Sequence, residues 1–278
     1  MNVFISCDME GVAGIVDWSQ CRPAGGRAYD AGCALMLAEV NAAVDGAVAA
    51  GAEQVMVNDS HGAMFNLDPA GLRRPATYLS GRHKPDYMMQ GLDESFDAVF
   101  LVGYHGSISG EPSALSHTYN PEVISGVRLG GKYVGESGIN ALVAHSYGVP
   151  IALVTGDAVT LQECESFAPD CVGVVTKESI TRFSAANLHP GEACGLIEEG
   201  ARKAVEAVSA GQIATPRIEF PTQLDVECHT ADMAELACWV KGVERLATRS
   251  VRIRGENGLA MFRSFVALTY ITRQAGGR

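Results

Sequence analysis

Four times in the first 160 residues an apolar run breaks off at acids, histidines or glycines, and this repetition constrains the fold more than any other feature. Val3-Phe4-Ile5 stops at Ser6-Cys7-Asp8-Met9-Glu10-Gly11, and Gln54 to Val57 ends in Asn58-Asp59-Ser60-His61-Gly62. Ala98 to Val102 ends in Gly103-Tyr104-His105-Gly106, and Ile151 to Val154 runs out at Gly156-Asp157. Short runs without polar alternation read as strands covered on both faces, as in a parallel sheet. Between the first two, Cys33, Leu37, Val40, Val44 and Val48 recur at helical spacing from about Tyr29 to Ala50, and Gly51 closes the helix. Strand, helix and strand make a βαβ unit, whose crossover forces the strands parallel and sets their carboxyl ends on one edge.

The spacing predicts a helix opening at Val134-Gly135-Glu136 and closing at Gly148 and Pro150, a fifth strand at Val172 to Val175, and a long helix from Pro190 to near Gly211. Residues 63–96 give only a short strand ending near Leu79-Ser80-Gly81. Beyond residue 213 the pattern changes. Ile218, Phe220, Leu224, Val226 and Cys228 share one parity, which is the pattern of a half-exposed strand; a helix at Ala231 to Val240, a strand at Ser250 to Arg254 and a helix at Gly258 to Arg273 follow. The expectation is an α/β protein with a largely parallel sheet and helices on both faces, residues 1–213, and a smaller C-terminal α+β portion, residues 214–278.

A net charge of −11 disfavours nucleic acid and anionic membranes, both of which would repel this surface. No basic segment leads into an apolar one at the start, and no eighteen consecutive apolar residues occur, so a cytoplasmic protein is expected. The eight cysteines are scattered without a CxxC pair and read mostly as small buried hydrophobes in a reducing compartment.

A parallel edge gathers residues distant in sequence. Asp8 and Glu10 follow the first strand, His61 the second and His105 the third, while Glu136 opens a downstream helix. A single strand-end Asp is more often a helix cap, and a single histidine in a glycine turn is more often just that. Five such groups on one edge form a ligand set suited to zinc, manganese or iron(II). Three carboxylates around one dication leave negative charge; around two they leave one positive charge, enough to draw the pKa of a held water toward neutrality. Asp8, nearest its strand end, is the candidate bridge. His117, twelve residues past His105 in a Ser, Gly and Pro rich loop, is placed to shuttle protons or attack as a nucleophile. Lys177 and Arg182 read as a solvated pair more readily than as a substrate carboxylate site, and His83, His145, His189 and His229 as ordinary surface or core histidines.

Asp8-Met9-Glu10-Gly11, Asn58-Asp59-Ser60-His61, Gly103-Tyr104-His105, Ser116-His117 and Val134-Gly135-Glu136-Ser137-Gly138-Ile139-Asn140 together resemble the D-aminopeptidase family of dinuclear zinc peptidases, whose members were often labelled dipeptide-transport proteins. The resemblance spans residues 3–182. It implies two Zn2+ per subunit on Asp8, Glu10, His61, His105 and Glu136, with Asp8 shared, His117 as the catalytic histidine, and a ring-like homo-oligomer acting on short peptides that begin with a D-amino acid. The loop Ser107 to Pro112 and residues 212–230 depart from the family pattern and are expected to shape the pocket. Competing readings are another dinuclear metallohydrolase, an amidase or a phosphoesterase, and a peptide-binding transport component.

Overall fold

The structure is a computed structural model that describes residues 1–275. In chain order its strands and helices are β1 (Asn2–Cys7), α1 (Trp18–Cys21), α2 (Arg27–Ala49), β2 (Gln54–Asp59), β3 (Thr77–Leu79), β4 (Ala98–Tyr104), β5 (Ile124–Leu129), β6 (Lys132–Tyr133), α3 (Glu136–Tyr147), β7 (Ile151–Asp157) and α4 (Ala158–Cys164). Then come β8 (Val172–Thr181), β9 (Ser184–Asn187), α5 (Pro190–Ser209), β10 (Thr222–Cys228), α6 (Ala231–Ala237), β11 (Val243–Ala247), β12 (Ser250–Gly255) and α7 (Gly258–Thr272).

Seven strands form the main sheet in the order β3-β2-β1-β4-β7-β8-β9. Every pairing is parallel except that of β9, which folds back antiparallel on β8. The fully buried runs β4 and β7 lie side by side at the centre, as strands with no solvent face must. One face packs on α2 and α5, with Val3, Ile5, Met36, Val40, Val44, Ile197 and Ala201 in its core; Phe4, Val99 and Leu101 point the other way into a second core shared with α3 and α7. The 23-residue α2 is long and apolar enough, by length and composition, to cross a membrane. Its apolar stripe is covered by the sheet and by α5, the setting of a core helix.

The smaller sheet is antiparallel, in the order β11-β12-β10-β5-β6. Its residues are not confined to 214–278: β5 and β6 come from 124–133, within the span expected to form the larger portion. The core joining Val127 to Val226 and Val251 therefore crosses residue 214. The fifth parallel strand is longer than expected because the chain continues to Thr181 and returns as β9, a hairpin that brings Arg182 back toward the His117 loop.

Candidate metal centre

The first turn sets the site. After β1, Asp8 N–H donates to Val102 O at 2.8 Å and Gly11 N–H to Gly103 O at 2.8 Å, so the chain beyond the strand stays beside β4. A Cβ on Gly11 would lie 1.8 Å from the Tyr104 carbonyl oxygen, and one on Gly103, at φ +74, would lie 2.3 Å from the Asp8 carbonyl oxygen. Only two bare backbones can approach this closely. Gly11 is thus required by close packing rather than by turning. The consequence is that Asp8 and Glu10 face His105 at the end of β4.

The five expected residues do converge. His61 Nδ1 is 3.0 Å from Asp8 Oδ1 and 3.0 Å from Glu10 Oε2. His105 Nε2 is 3.4 Å from Asp8 Oδ2 and 3.8 Å from Glu136 Oε1, and His117 Nε2 is 3.5 Å from that same Glu136 oxygen. All six side chains are buried. Glu136 sits at the first residue of α3, where Tyr119 N–H also donates to its Oε1 at 2.7 Å.

Each imidazole is fixed by a backbone carbonyl. His61 Nε2 lies 2.7 Å from Cys21 O, His105 Nδ1 2.9 Å from Gly106 O and His117 Nδ1 3.0 Å from Leu115 O. A carbonyl only accepts, so those nitrogens carry the protons, and in a neutral ring the other nitrogen turns its lone pair toward the carboxylates. Lone pairs facing anions repel unless something positive lies between them. Asp8 Oδ2, Glu10 Oε2 and His105 Nε2 are buried without a hydrogen-bond partner, which is costly in a polar pocket lacking a cation. The donor set therefore fits divalent metal ions, with the second imidazole nitrogens oriented as metal-binding histidines require.

The electrostatics of the bare protein report the same frustration. Burial and the adjacent Glu10 raise the Asp8 carboxyl, and burial and Asp8 push Glu136 up to about 8. For Glu10 burial works upward but His61 outweighs it, holding the carboxyl well below the usual range; His61 itself is raised well above an ordinary histidine, since Glu10 and Asp8 overcome its burial. Burial likewise opposes charge on His105, yet Glu136 and Asp8 lift it to about 9. His117 goes the other way. Burial and the neighbouring His105 lower it to about 3, so it is neutral near pH 7.

The His117 loop is held from several sides. Its ring stacks on His105 at 4.4 Å between centroids and meets the edge of Trp18 at 5.4 Å. Arg182 Nε donates to Ser116 O at 3.0 Å, and Leu115 N–H to Arg182 O at 2.7 Å. Leu115 at φ +54 and Tyr119 at φ +60 are bulky residues in left-handed backbone, a strain of about 1–3 kcal/mol each that persists only where packing imposes it. Trp18 and Arg182 had no signal in sequence that tied them to His117.

Lys177 corrects an expectation. It is 1% exposed, not solvated, and donates from Nζ to Glu10 O at 2.8 Å and to Ile15 O at 2.6 Å. Burial lowers it to about 8. A buried cation thus holds the loop that carries Glu10. Lys84 does the same beside His61, donating to Asn58 Oδ1 and Asp59 O, each at 2.6 Å. Beneath the site Ser6, Ser60, Tyr104 and Asn140 form a buried hydrogen-bonded chain that ends on Tyr119 OH. All eight cysteines are free; Cys21 is the one brought beside Glu10 and His61, where burial keeps its thiol protonated. His145 contacts Pro216 O, His229 contacts Pro121 O and His189 caps α5, so these three lie outside the cluster, as expected.

Asp8, Glu10, His61, His117 and Glu136 floor a cavity of about 420 Å³, whose walls come from Trp18, Arg22, Arg82, Tyr87, Tyr119 and the α7 face bearing Thr269 and Tyr270. Neither Ser107 to Pro112 nor residues 212–230 line it. The loop is tied away by Glu163, which accepts from Ser107 N–H and Oγ, and β10 lies inside the smaller sheet. Three carboxylates and three imidazoles at the carboxyl edge of a parallel sheet, opening on a peptide-sized cavity, define a metallohydrolase. The chain belongs to the D-aminopeptidase family, whose model matches residues 1–267. A D-aminopeptidase of Bacillus subtilis (strain 168) is 32% identical over 273 residues, covering 97% of each chain. The solved structure of the Zn-dependent D-aminopeptidase DppA from Bacillus subtilis, a self-compartmentalizing protease, superposes with a TM-score of 0.93 at 28% identity and covers 100% of both chains.

Proposed function

We propose that this chain is a zinc aminopeptidase that removes an N-terminal D-amino acid, such as D-alanine, from short peptides, and that each subunit holds two ions. The observation that carries the reading is the set of buried, unpartnered ligand atoms Asp8 Oδ2, Glu10 Oε2 and His105 Nε2. Asp8 supports the count of two, because its Oδ1 faces His61 and its Oδ2 faces His105. On this reading Glu10 and His61 complete one position, His105 and Glu136 the other, and Asp8 serves both. Bound there, zinc supplies Lewis acidity toward the scissile carbonyl and acidifies water near neutral pH.

The protein's own groups do the rest. Lys177 fixes the Glu10 loop, and the backbone carbonyls of Cys21 and Gly106 aim His61 and His105. His117, neutral and lining the cavity with Nε2 beside Glu136, is the reacting imidazole; its Nδ1–H is committed to Leu115 O, so only Nε2 can take a proton. Trp18 packs against the His117 ring, and the stacked Tyr119 and Tyr87 rings wall the cavity. A phosphoesterase gains no support from Lys177 and Arg182, which are already engaged by backbone carbonyls.

The test is hydrolysis of D-alanyl against L-alanyl peptides and an aryl phosphate, alongside zinc content per chain. Preference for the D-peptide with two zinc ions bound is expected; phosphate release without peptide cleavage would sink the reading. A ring-like homo-oligomer is part of the same proposal. Its support is the description of the Bacillus subtilis neighbour as a self-compartmentalizing protease and the exposed Ile180 and Phe183 beside the β8–β9 turn. Light scattering that reported a monomer at working concentration would remove it. A cytoplasmic setting agrees with eight unpaired thiols.

A further inference from the structure

The cavity is electrically lopsided. Its floor gathers the carboxylates Asp8, Glu10 and Glu136; of the arginines on its walls, Arg22 lies over the Trp18 ring, whereas Arg82, from the loop after β3, and Arg273, just past α7, stand by Tyr270. Both of these arginines line the cavity, as Tyr270 does. Tyr270 packs on His83, the neighbour of Arg82, at 5.6 Å, and precedes Arg273 by three residues. Both guanidinium groups act on the Tyr270 phenol, pulling its pKa down against the burial that raises it. Among the described residues neither arginine makes an ion pair or a side-chain hydrogen bond, while nearby Arg263 is engaged with Asp86. Glu122 also lines the cavity, on the wall formed by Asn120 and Pro121.

Two aromatic steps link floor and wall. Tyr119, whose N–H meets Glu136, stacks on Tyr87 at 5.2 Å, and Tyr87 meets Tyr270 at 5.7 Å. An extended chain advances about 3.3–3.6 Å per residue, so a peptide with its first residue on the floor brings its carboxyl end to the arginines after two or three residues. A guanidinium binds a carboxylate through paired donors, which gives direction as well as charge.

We propose that Arg82 and Arg273 receive the free C-terminal carboxylate of a di- or tripeptide whose N-terminal residue lies on the Asp8, Glu10 and Glu136 floor. This rests on the aminopeptidase reading and deepens it, because it makes the enzyme selective for short peptides with a free acid end. Longer chains and C-terminal amides leave the arginines without a partner.

The test compares D-alanyl-D-alanine, its C-terminal amide and D-alanine p-nitroanilide, which has no carboxylate, on the metal-loaded wild type and on Arg82→Gln, Arg273→Gln and the double variant. For the wild type, KM for the acid should be roughly ten- to a hundredfold below that for the amide, the range of a charge-assisted pair. The double variant should lose this gap with its melting temperature and zinc content unchanged, and added salt should narrow the gap in the wild type because both arginines are exposed. Equal KM for acid and amide in the wild type, or a gap that survives in the double variant, would overturn the assignment. If none of the three compounds is cleaved, the aminopeptidase reading fails separately, and calorimetric Kd values for acid and amide still decide whether the arginines bind a carboxylate.

Discussion

At the scale of the residue, His117 and Asp8 separate two kinds of loss. His117 touches Glu136 but is steered by Leu115 O and Trp18, so removing its ring leaves the carboxylates and the other two imidazoles in place. His117→Ala should keep its zinc and its melting temperature and lose kcat by about 10²–10⁴-fold, the usual contribution of a positioned acid–base group. Wild-type turnover in this variant would remove His117 from the chemistry. Asp8→Asn keeps the shape but replaces one anionic oxygen by an amide that donates toward either His61 or His105. It should lose zinc as well as activity, with circular dichroism unchanged, so metal analysis of the two variants is the discriminating measurement.

At the scale of the element, the strands of the parallel sheet were legible because each is an apolar run with an abrupt end, and the same ends carry Asp8, Glu10, His61 and His105. The supports were not legible. Lys177 lies 167 residues from the Glu10 carbonyl it holds, and nothing in its neighbourhood distinguishes it from a surface lysine. Only the close approach of the β1 turn to β8, through Thr176 Oγ1 donating to Gly11 O at 2.6 Å, puts it there. Lys177→Met should leave the carbonyls of Glu10 and Ile15 unpaired in a buried site, at about 1–3 kcal/mol each. The expected result is a melting temperature lower by several degrees and weaker zinc binding, with kcat per bound zinc much less affected. A variant as stable as the wild type would mean that water takes over both carbonyls.

At the scale of the whole molecule, β5 and β6 escaped notice because Ile124 to Leu129 is short, is interrupted by Gly126 and Arg128, and acquires meaning only when β10 pairs with it across about a hundred residues. That pairing builds the smaller sheet from both halves of the chain, its core is continuous with one face of the larger sheet, and α7 lines the cavity over the carboxylates and imidazoles. If the proposed ligands hold zinc only in the folded chain, chelation should be felt as a loss of global stability. Its pH dependence follows from the raised groups. Glu136, moved from an ordinary 4.5 to about 8, and His105, from 6.5 to about 9, each bind a proton more tightly in the folded, metal-free protein than in the unfolded chain. A raised pKa gives stability that is complete below the unfolded value and lost as pH climbs through the folded one. His117, lowered to about 3, gives a contribution that grows between about pH 3 and 6.5 and is flat above it. Between about pH 6.5 and 9 the metal-free protein should thus weaken steadily, while a zinc form in which Glu136 and His105 held metal in place of those protons should not. Thermal scans with and without EDTA at pH 6.5 and pH 9 should show the wider gap at pH 9. A constant or shrinking gap would mean that the carboxylates and imidazoles are not metal ligands, since protons would then be their natural partners at both values.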